Sequence, residues 1–178
     1  MSEPSEAFWQ FSLTVYVRPG ASDACLGLQD RLGLDVNILL FCCWAGSQGH
    51  ALSAEETESL RATAGPWHDE VVRPLRAARR WLKGRETLAA GAAGALRVDI
   101  KAKELEAERI EQHLLAEALP FDAGAPDPAV VADNLLTYVA TLGRPLGEAD
   151  REDLAVLLAA TLPSLTLQEA RRRLCEGL

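Results

Sequence analysis

The sequence predicts an all-α fold, an irregular helical bundle around a central buried helix at about residues 35–46, with a small helical C-terminal unit. Three observations predict it. Apolar residues recur at three- and four-residue spacings along most of the chain, without an alternating strand or hairpin signal. Nine of the ten residues 36–45 are apolar, which is typical of a helix covered on every side. At 178 residues and 48% hydrophobic content, the chain can bury a substantial core.

The first three helices are bounded by capping and turn signals. Ser5 is the expected N-cap of the first helix, which has an aromatic face and stops at residues 18–20. The second helix is expected over residues 19–32, followed by Gly33 in a left-handed conformation. Asp35 is the expected N-cap of the third, central helix. We expect helices one, two, four and five to pack around this third helix.

Prolines and glycines divide the middle of the chain. Ser53 and Glu56 have the spacing of a capping box and begin a fourth helix, which we expect to break at residues 64–66 (Ala-Gly-Pro). The fifth helix is expected over residues 66–83, with a kink at Pro74.

The second half of the chain divides at a segment rich in proline, glycine and aspartate, residues 120–128. Before it, residues 97–119 have many opposite charges three or four residues apart, which predicts a long and mostly solvated helix. After it, residues 129–178 predict three short helices. We therefore predict a helical core domain over residues 1–119, a linker at 120–128 and a small C-terminal subdomain.

Charge and composition restrict the setting of the protein. The net charge of −8 opposes nucleic-acid binding, and the arginines at residues 171–173 give only a weak resemblance to a helix-turn-helix. The longest apolar run, residues 36–45, is about half of the roughly 20 residues that span a bilayer. Residues 1–6 are acidic and lack the apolar run of a secretory signal. We expect a cytoplasmic protein with reduced cysteines that binds neither membrane nor nucleic acid.

A basic stripe in the fifth helix is the main candidate binding site. It consists of Arg73, Arg76, Arg79, Arg80 and Lys83. Arginine forks bind carboxylates and phosphates, so the stripe predicts binding of an anionic ligand or an acidic partner surface. The alternative is structural. Cations complement the dipole at the end of a helix, and glutamates at residues 104–111 offer partners within the chain.

Aromatic and polar residues of the apolar helices are candidates for supporting that ligand. They are Trp9, Tyr16, Asn37, Trp44 and Trp67. The aromatic residues are otherwise expected in the core. Asn37 is otherwise expected to bond to a neighbouring backbone or to Gln29, because a polar group in an apolar helix needs a partner.

The sequence contains no motif of catalysis or metal binding. His50, His68 and His113 lie on separate segments, without a second histidine or cysteine at ligand spacing. Asp69 and Glu70 fit the acidic first turn of a helix. We therefore predict no catalytic residue, no metal site and no cofactor.

Several segments resemble an uncharacterised proteobacterial family, the domain of unknown function 2390. They include residues 8–13 (FWQFSL), 18–20 (RPG), 25–30 (CLGLQD), 33–42 (GLDVNILLFC) and 71–75 (VVRPL), together with Tyr16 and Trp44. The resemblance covers residues 7–84 and implies a bacterial cytoplasmic helical protein. It transfers no catalytic residue.

Two functions follow from these patterns. The first is a non-enzymatic interaction or adaptor protein that binds a protein partner, or another copy of itself, through residues 97–119. The second is a binder of, or an enzyme acting on, an anionic and partly apolar small molecule held by the arginine stripe. A pocket with Arg73, Arg76 and Arg80 above Trp9 or Trp44 would favour the second function. Pairing of these arginines with the glutamates at 104–111 would remove its basis.

Overall fold

A computed structural model describes residues 3–176 of the protein. These residues form nine α-helices and no β-strand, so the predicted all-α fold is confirmed. The helices are α1 (Glu3–Tyr16), α2 (Ala21–Leu32), α3 (Val36–Ser47), α4 (Ala54–Trp67), α5 (Arg73–Leu82), α6 (Ala92–Ala118), α7 (Pro128–Ala140), α8 (Glu148–Thr161) and α9 (Leu167–Glu176). Within residues 3–176, none of the helices has both the length and the apolar character needed to cross a bilayer.

Helix α3 is the central helix, as predicted. Asp35 caps it by accepting a hydrogen bond from the backbone N–H of Asn37 at 2.8 Å. Every residue from Asn37 to Ser47 is buried. The predicted set of neighbours is confirmed for α1 and α2 and wrong for α4 and α5. Helix α3 packs mainly on α7 and also on α6, α1, α2 and α8, whereas α4 and α5 pack mainly on α6. Because apolar residues occur on every side of α3, its sequence does not indicate which helix packs against which side.

The close packing of α3 on α7 depends on a glycine. A Cβ atom at Gly46 would lie 2.6 Å from the Cα of Val131, far inside contact distance. Phe121, from the segment between α6 and α7, stacks on His50 with ring centroids 4.6 Å apart. Residues on both sides of the predicted linker thus contribute to one hydrophobic core. The division into two structural units stays a prediction.

The expected break at residues 64–66 is wrong, because α4 continues through Pro66. Gly65 has no Cβ to meet the following proline ring, so the helix tolerates Pro66 there. A π-helical turn, His68–Val72, joins α4 to α5, and in it the N–H of Arg73 donates to the carbonyl of His68. Pro74 lies in the first turn of α5, where its missing N–H is tolerated.

The two halves of helix α6 differ in exposure to solvent. The expectation of a mostly solvated helix is wrong for the second half. No residue from 92 to 103 is buried. From Glu104 onward the helix packs into the bundle and buries Ala107, Glu111, Gln112 and Leu115. The many ion-pairing residues suggested a solvated helix, but several of their partners lie on other helices rather than along α6.

Candidate functional site

Two carboxylates and one imidazole meet beside the first turn of α3. Asp35 precedes α3, His68 opens the π-helical turn, and Glu111 lies on the buried half of α6. The Nδ1 atom of His68 is 3.1 Å from Oδ2 of Asp35 and 3.1 Å from Oε1 of Glu111. The Glu111 side chain is fully buried, at 0% exposure. We call these three residues the acid–histidine cluster.

Asn37 fixes the orientation of both carboxylates. Its backbone N–H donates to Oδ1 of Asp35 at 2.8 Å, and its side-chain Nδ2 donates to Oε2 of Glu111 at 2.7 Å. Gln112 in turn donates to Oδ1 of Asn37 at 2.9 Å. The second oxygen of each carboxylate therefore points to His68. Hydrogen bonds that hold ligand-binding or catalytic side chains in one orientation are typical of functional sites.

Burial and mutual contact shift the three pKa values strongly. Burial raises the pKa of Glu111 to about 8, although His68 opposes this effect. Burial alone would lower the pKa of His68, but its contacts with Asp35 and Glu111 outweigh burial and raise the pKa to about 10. Burial would raise the pKa of Asp35, but hydrogen bonds with His68 and Glu111 lower it. At neutral pH the cluster holds one carboxylate, one imidazolium and one neutral acid.

A groove of about 590 Å³ opens above the cluster, between the start of α3 and the helices α4 and α5. Asp35, His68 and Tyr138 lie among the residues that line it. Four arginines line the same groove, namely Arg61, Arg73, Arg76 and Arg80. The volume is in the range of small-molecule sites, which is roughly 300–1,000 Å³. The groove thus combines a strongly basic wall with a buried acid–histidine cluster.

The structure divides the predicted arginine stripe into three groups. Arg76 and Arg79 turn toward α6, where Arg76 pairs with Glu104 at 3.0 Å and with Glu108 at 2.6 Å, and Arg79 also pairs with Glu104. These are the ion pairs with the glutamates at residues 104–111 that the structural alternative predicts for the stripe.

Arg73 and Arg80 form the second group. They are 67% and 51% exposed and make single ion pairs with Asp69 and Asp30. Exposed pairs of this kind contribute little to stability, so both guanidinium groups can exchange partners readily. Lys83 is exposed, follows the last residue of α5, and is not among the residues that line the groove.

The predicted supporting residues lie outside the main groove, but three of them lie beside Arg76. Trp9, Tyr16 and Asn37 line a smaller cavity of about 120 Å³ next to α1, and Arg76 lines this cavity as well. Trp44 belongs to the core, where it stacks on Phe8. Trp67 donates its indole N–H to the carbonyl of Ala107 at 3.0 Å. Asn37 bonds to Glu111 rather than to Gln29. Neither Trp9 nor Trp44 is part of the lining of the main groove.

Sequence reasoning missed the cluster because its members are far apart along the chain. Metal ligands are recognised in a sequence mainly by short spacing, and the capping role of Asp35 already accounts for that residue. One signal was available. Two prolines eight residues apart in a helical stretch, Pro66 and Pro74, mark a local irregularity, and His68 lies between them. Single π-helical turns within longer helices are frequent at functional sites.

Comparison with protein families gives one match. The model of a family described as "Protein of unknown function (DUF2390)" matches residues 7–115. The chain belongs to this family. The matched segment extends beyond residues 7–84, on which the resemblance rested, and includes Asp35, His68 and Glu111. Helices α7 to α9 lie outside it. Searches of the curated proteins and of the solved structures find no match.

Proposed function

We propose that this member of the DUF2390 family binds a small anionic ligand in the groove above the acid–histidine cluster. One observation carries the proposal. Arg61, Arg73 and Arg80 line a concave site of ligand size, and each is engaged only in an exposed ion pair. This hypothesis retains part of the arginine stripe and adds Arg61 to it.

Electrostatics supports an anion at this place. Arg61, Arg73 and Arg80 bring exposed guanidinium groups to the groove, and each is held by one exposed carboxylate. Exposed pairs of this kind are weak, so an anion in the groove can compete with these carboxylates. Guanidinium groups form bidentate hydrogen bonds with phosphate and carboxylate oxygens, so both kinds of anion fit.

Isothermal titration of metal-free protein with inorganic diphosphate, and separately with citrate, tests the proposal. We expect one of the two anions to bind with one equivalent per chain. The double variant Arg73→Gln/Arg80→Gln should weaken that binding at least about tenfold, because hydrogen bonds to charged groups contribute roughly 1.5–3 kcal/mol each.

Arg171→Gln provides the matched control. Arg171 is 52% exposed and pairs with Glu152, far from the groove in sequence and on α9. Binding should be unchanged in this variant. Absence of binding by both anions, or equal weakening in the control, would contradict the proposal.

Self-association through the long charged helix is a second candidate function. The observation that favours it is the exposed first half of α6, residues 92–103, which presents Leu96 and Val98 to solvent. Val98 and the exposed Leu105 lie seven residues apart and share one face of the helix. Such a face is suited to pack against the same helix of a second copy.

Light scattering coupled to size exclusion chromatography tests this second function. We expect the mass of a dimer, and a shift to monomer in Val98→Lys. Val17→Lys is the control, since Val17 is also strongly exposed but lies after α1. A monomeric protein at all concentrations would exclude self-association.

A further inference from the structure

The structure assigns a divalent metal site to the acid–histidine cluster, with Oδ2 of Asp35, Nδ1 of His68 and Oε1 of Glu111 as ligands. This inference does not depend on anion binding in the groove. The three ligand atoms lie within 4.8 Å of one another, so a single ion can reach all of them. The class of ion is a first-row divalent metal such as Mn²⁺, Fe²⁺ or Zn²⁺, for which mixed imidazole and carboxylate ligands are suitable.

The distances fit metal coordination. At bond lengths of about 2.1 Å, two ligands are separated by roughly 3.0 Å in octahedral and roughly 3.4 Å in tetrahedral geometry. The two separations from His68 Nδ1 are both 3.1 Å. An ion can therefore enter between these atoms with small side-chain shifts.

The surroundings also fit a metal site. Each carboxylate has one oxygen occupied by Asn37, which leaves the other oxygen for the ion. Gln112 fixes Asn37 in turn. A ligand shell supported by buried hydrogen bonds is the arrangement that metal sites require, and loss of such support commonly weakens binding by about 10–100-fold.

Charge balance is the third argument. Two carboxylates and a neutral imidazole carry two negative charges in a buried place, which a divalent ion neutralises.

A metal ion held by the cluster would lie next to the groove. Asp35 and His68 line it, whereas Glu111 is fully buried behind them. Three protein ligands leave at least one position of the metal open, which is the arrangement of sites where metals bind water or an exchangeable ligand. Water or an oxygen of an anion in the groove would occupy it.

Equilibrium dialysis of EDTA-treated full-length protein against Mn²⁺, Co²⁺ and Zn²⁺, followed by elemental analysis, tests the assignment without any anion present. We expect one equivalent of at least one of these metals. Asp35→Asn and Glu111→Gln should each weaken its binding at least about 100-fold. Asparagine caps helices as well as aspartate does, so Asp35→Asn retains the start of α3.

His113→Gln is the matched control, because His113 lies on α6 beside Glu117 but outside the cluster. Its metal binding should equal that of the wild type. Cobalt absorption spectra of wild type and Asp35→Asn add a direct view of the ligand set, and thermal unfolding of each variant verifies that it is folded. No stoichiometric metal in the wild type would overturn the assignment. Equal binding by folded Asp35→Asn and Glu111→Gln would overturn it as well.

Loss of metal binding and loss of anion binding are distinguishable. The dialysis contains no anion ligand, and the anion titration uses metal-free protein. A protein that binds Mn²⁺ but neither diphosphate nor citrate would support the metal site and contradict the function proposed above.

Discussion

Two groups of buried charge lie next to each other along α6, within about two turns, and their composition differs. In the first, Glu104 and Glu108 face Arg76 and Arg79, so two acids meet two bases. In the second, Glu111 shares one histidine with Asp35, so two acids meet one base. The first group is internally neutral. The second is not, unless it also binds a proton or a metal ion.

This difference bears on what each group can do. A balanced network attaches α5 to α6 and needs nothing further from outside the protein. A buried excess of negative charge costs free energy, so the second group needs a partner that neutralises it. A proton on Glu111 does so in the metal-free protein, and the divalent ion proposed above would do so in the metal-bound protein.

The largest effect on stability is expected from the balanced group. Arg76→Met removes a guanidinium that is only 12% exposed and leaves Glu108 without its ion pair. Removing one member of a buried ion pair commonly costs about 3–5 kcal/mol, because the other charge stays buried without compensation. Urea unfolding measures the free energy. A loss below about 1 kcal/mol would show that the network is not structural.

The next-largest loss of stability is expected on substitution of Asn37, which holds the carboxylates of the acid–histidine cluster. Asn37→Ala removes the amide that donates to Glu111 and accepts from Gln112, both of which are buried. Unsatisfied buried polar groups cost about 1–3 kcal/mol, so we expect a loss of about 2 kcal/mol in urea unfolding. A neutral substitution would mean that water replaces the amide and that Asn37 does not hold the carboxylates.

A matched pair of isosteric substitutions compares the two groups directly, in metal-free protein. Glu104→Gln removes a charge that two arginines use, and we expect a cost of about 1.5 kcal/mol. Glu111→Gln should cost less than about 1 kcal/mol, because a pKa of about 8 means that Glu111 is already neutral at pH 7. Urea unfolding at pH 7 measures both. The reverse order would contradict the assigned charge states.

The smallest effect is expected at the exposed edge of the stripe. Arg73 pairs with Asp69 one turn earlier, and both side chains are more than half exposed. Arg73→Gln should change the free energy of unfolding by less than about 0.5 kcal/mol, as measured by urea unfolding. A larger loss would place Arg73 with Arg76 among the structural arginines and remove it from the proposed anion site.

Local signals in the sequence predicted most of the caps, although the expected N-cap at Ser5 is wrong because α1 already begins at Glu3. The Asp35 cap, the left-handed Gly33 and the capping box of Ser53 and Glu56 all occur as expected. Each depends on a few neighbouring residues whose hydrogen bonds close within one turn. The continuation of α4 through Pro66 differs from the expected break, because Gly65 has no Cβ to clash with the proline ring.

The candidate site was predicted only in part. The pattern of arginines identified one wall of the groove through Arg73 and Arg80, but it did not distinguish them from Arg76 and Arg79, which turn to α6. That distinction depends on which side of α5 faces another helix. In the sequence His68 is one of three scattered histidines, because its partners are 33 and 43 residues away.

The sequence by itself determined the helical fold, the caps and the burial of α3, since periodicity and capping are properties of neighbouring residues. Tertiary structure alone decided which helices surround α3, which arginines are structural, and that Asp35, His68 and Glu111 meet. The physical reason is that these contacts join residues distant in the chain, and their geometry follows from how the helices pack. A π-helical turn and a shared core, neither visible as a motif, bring the three side chains to one point.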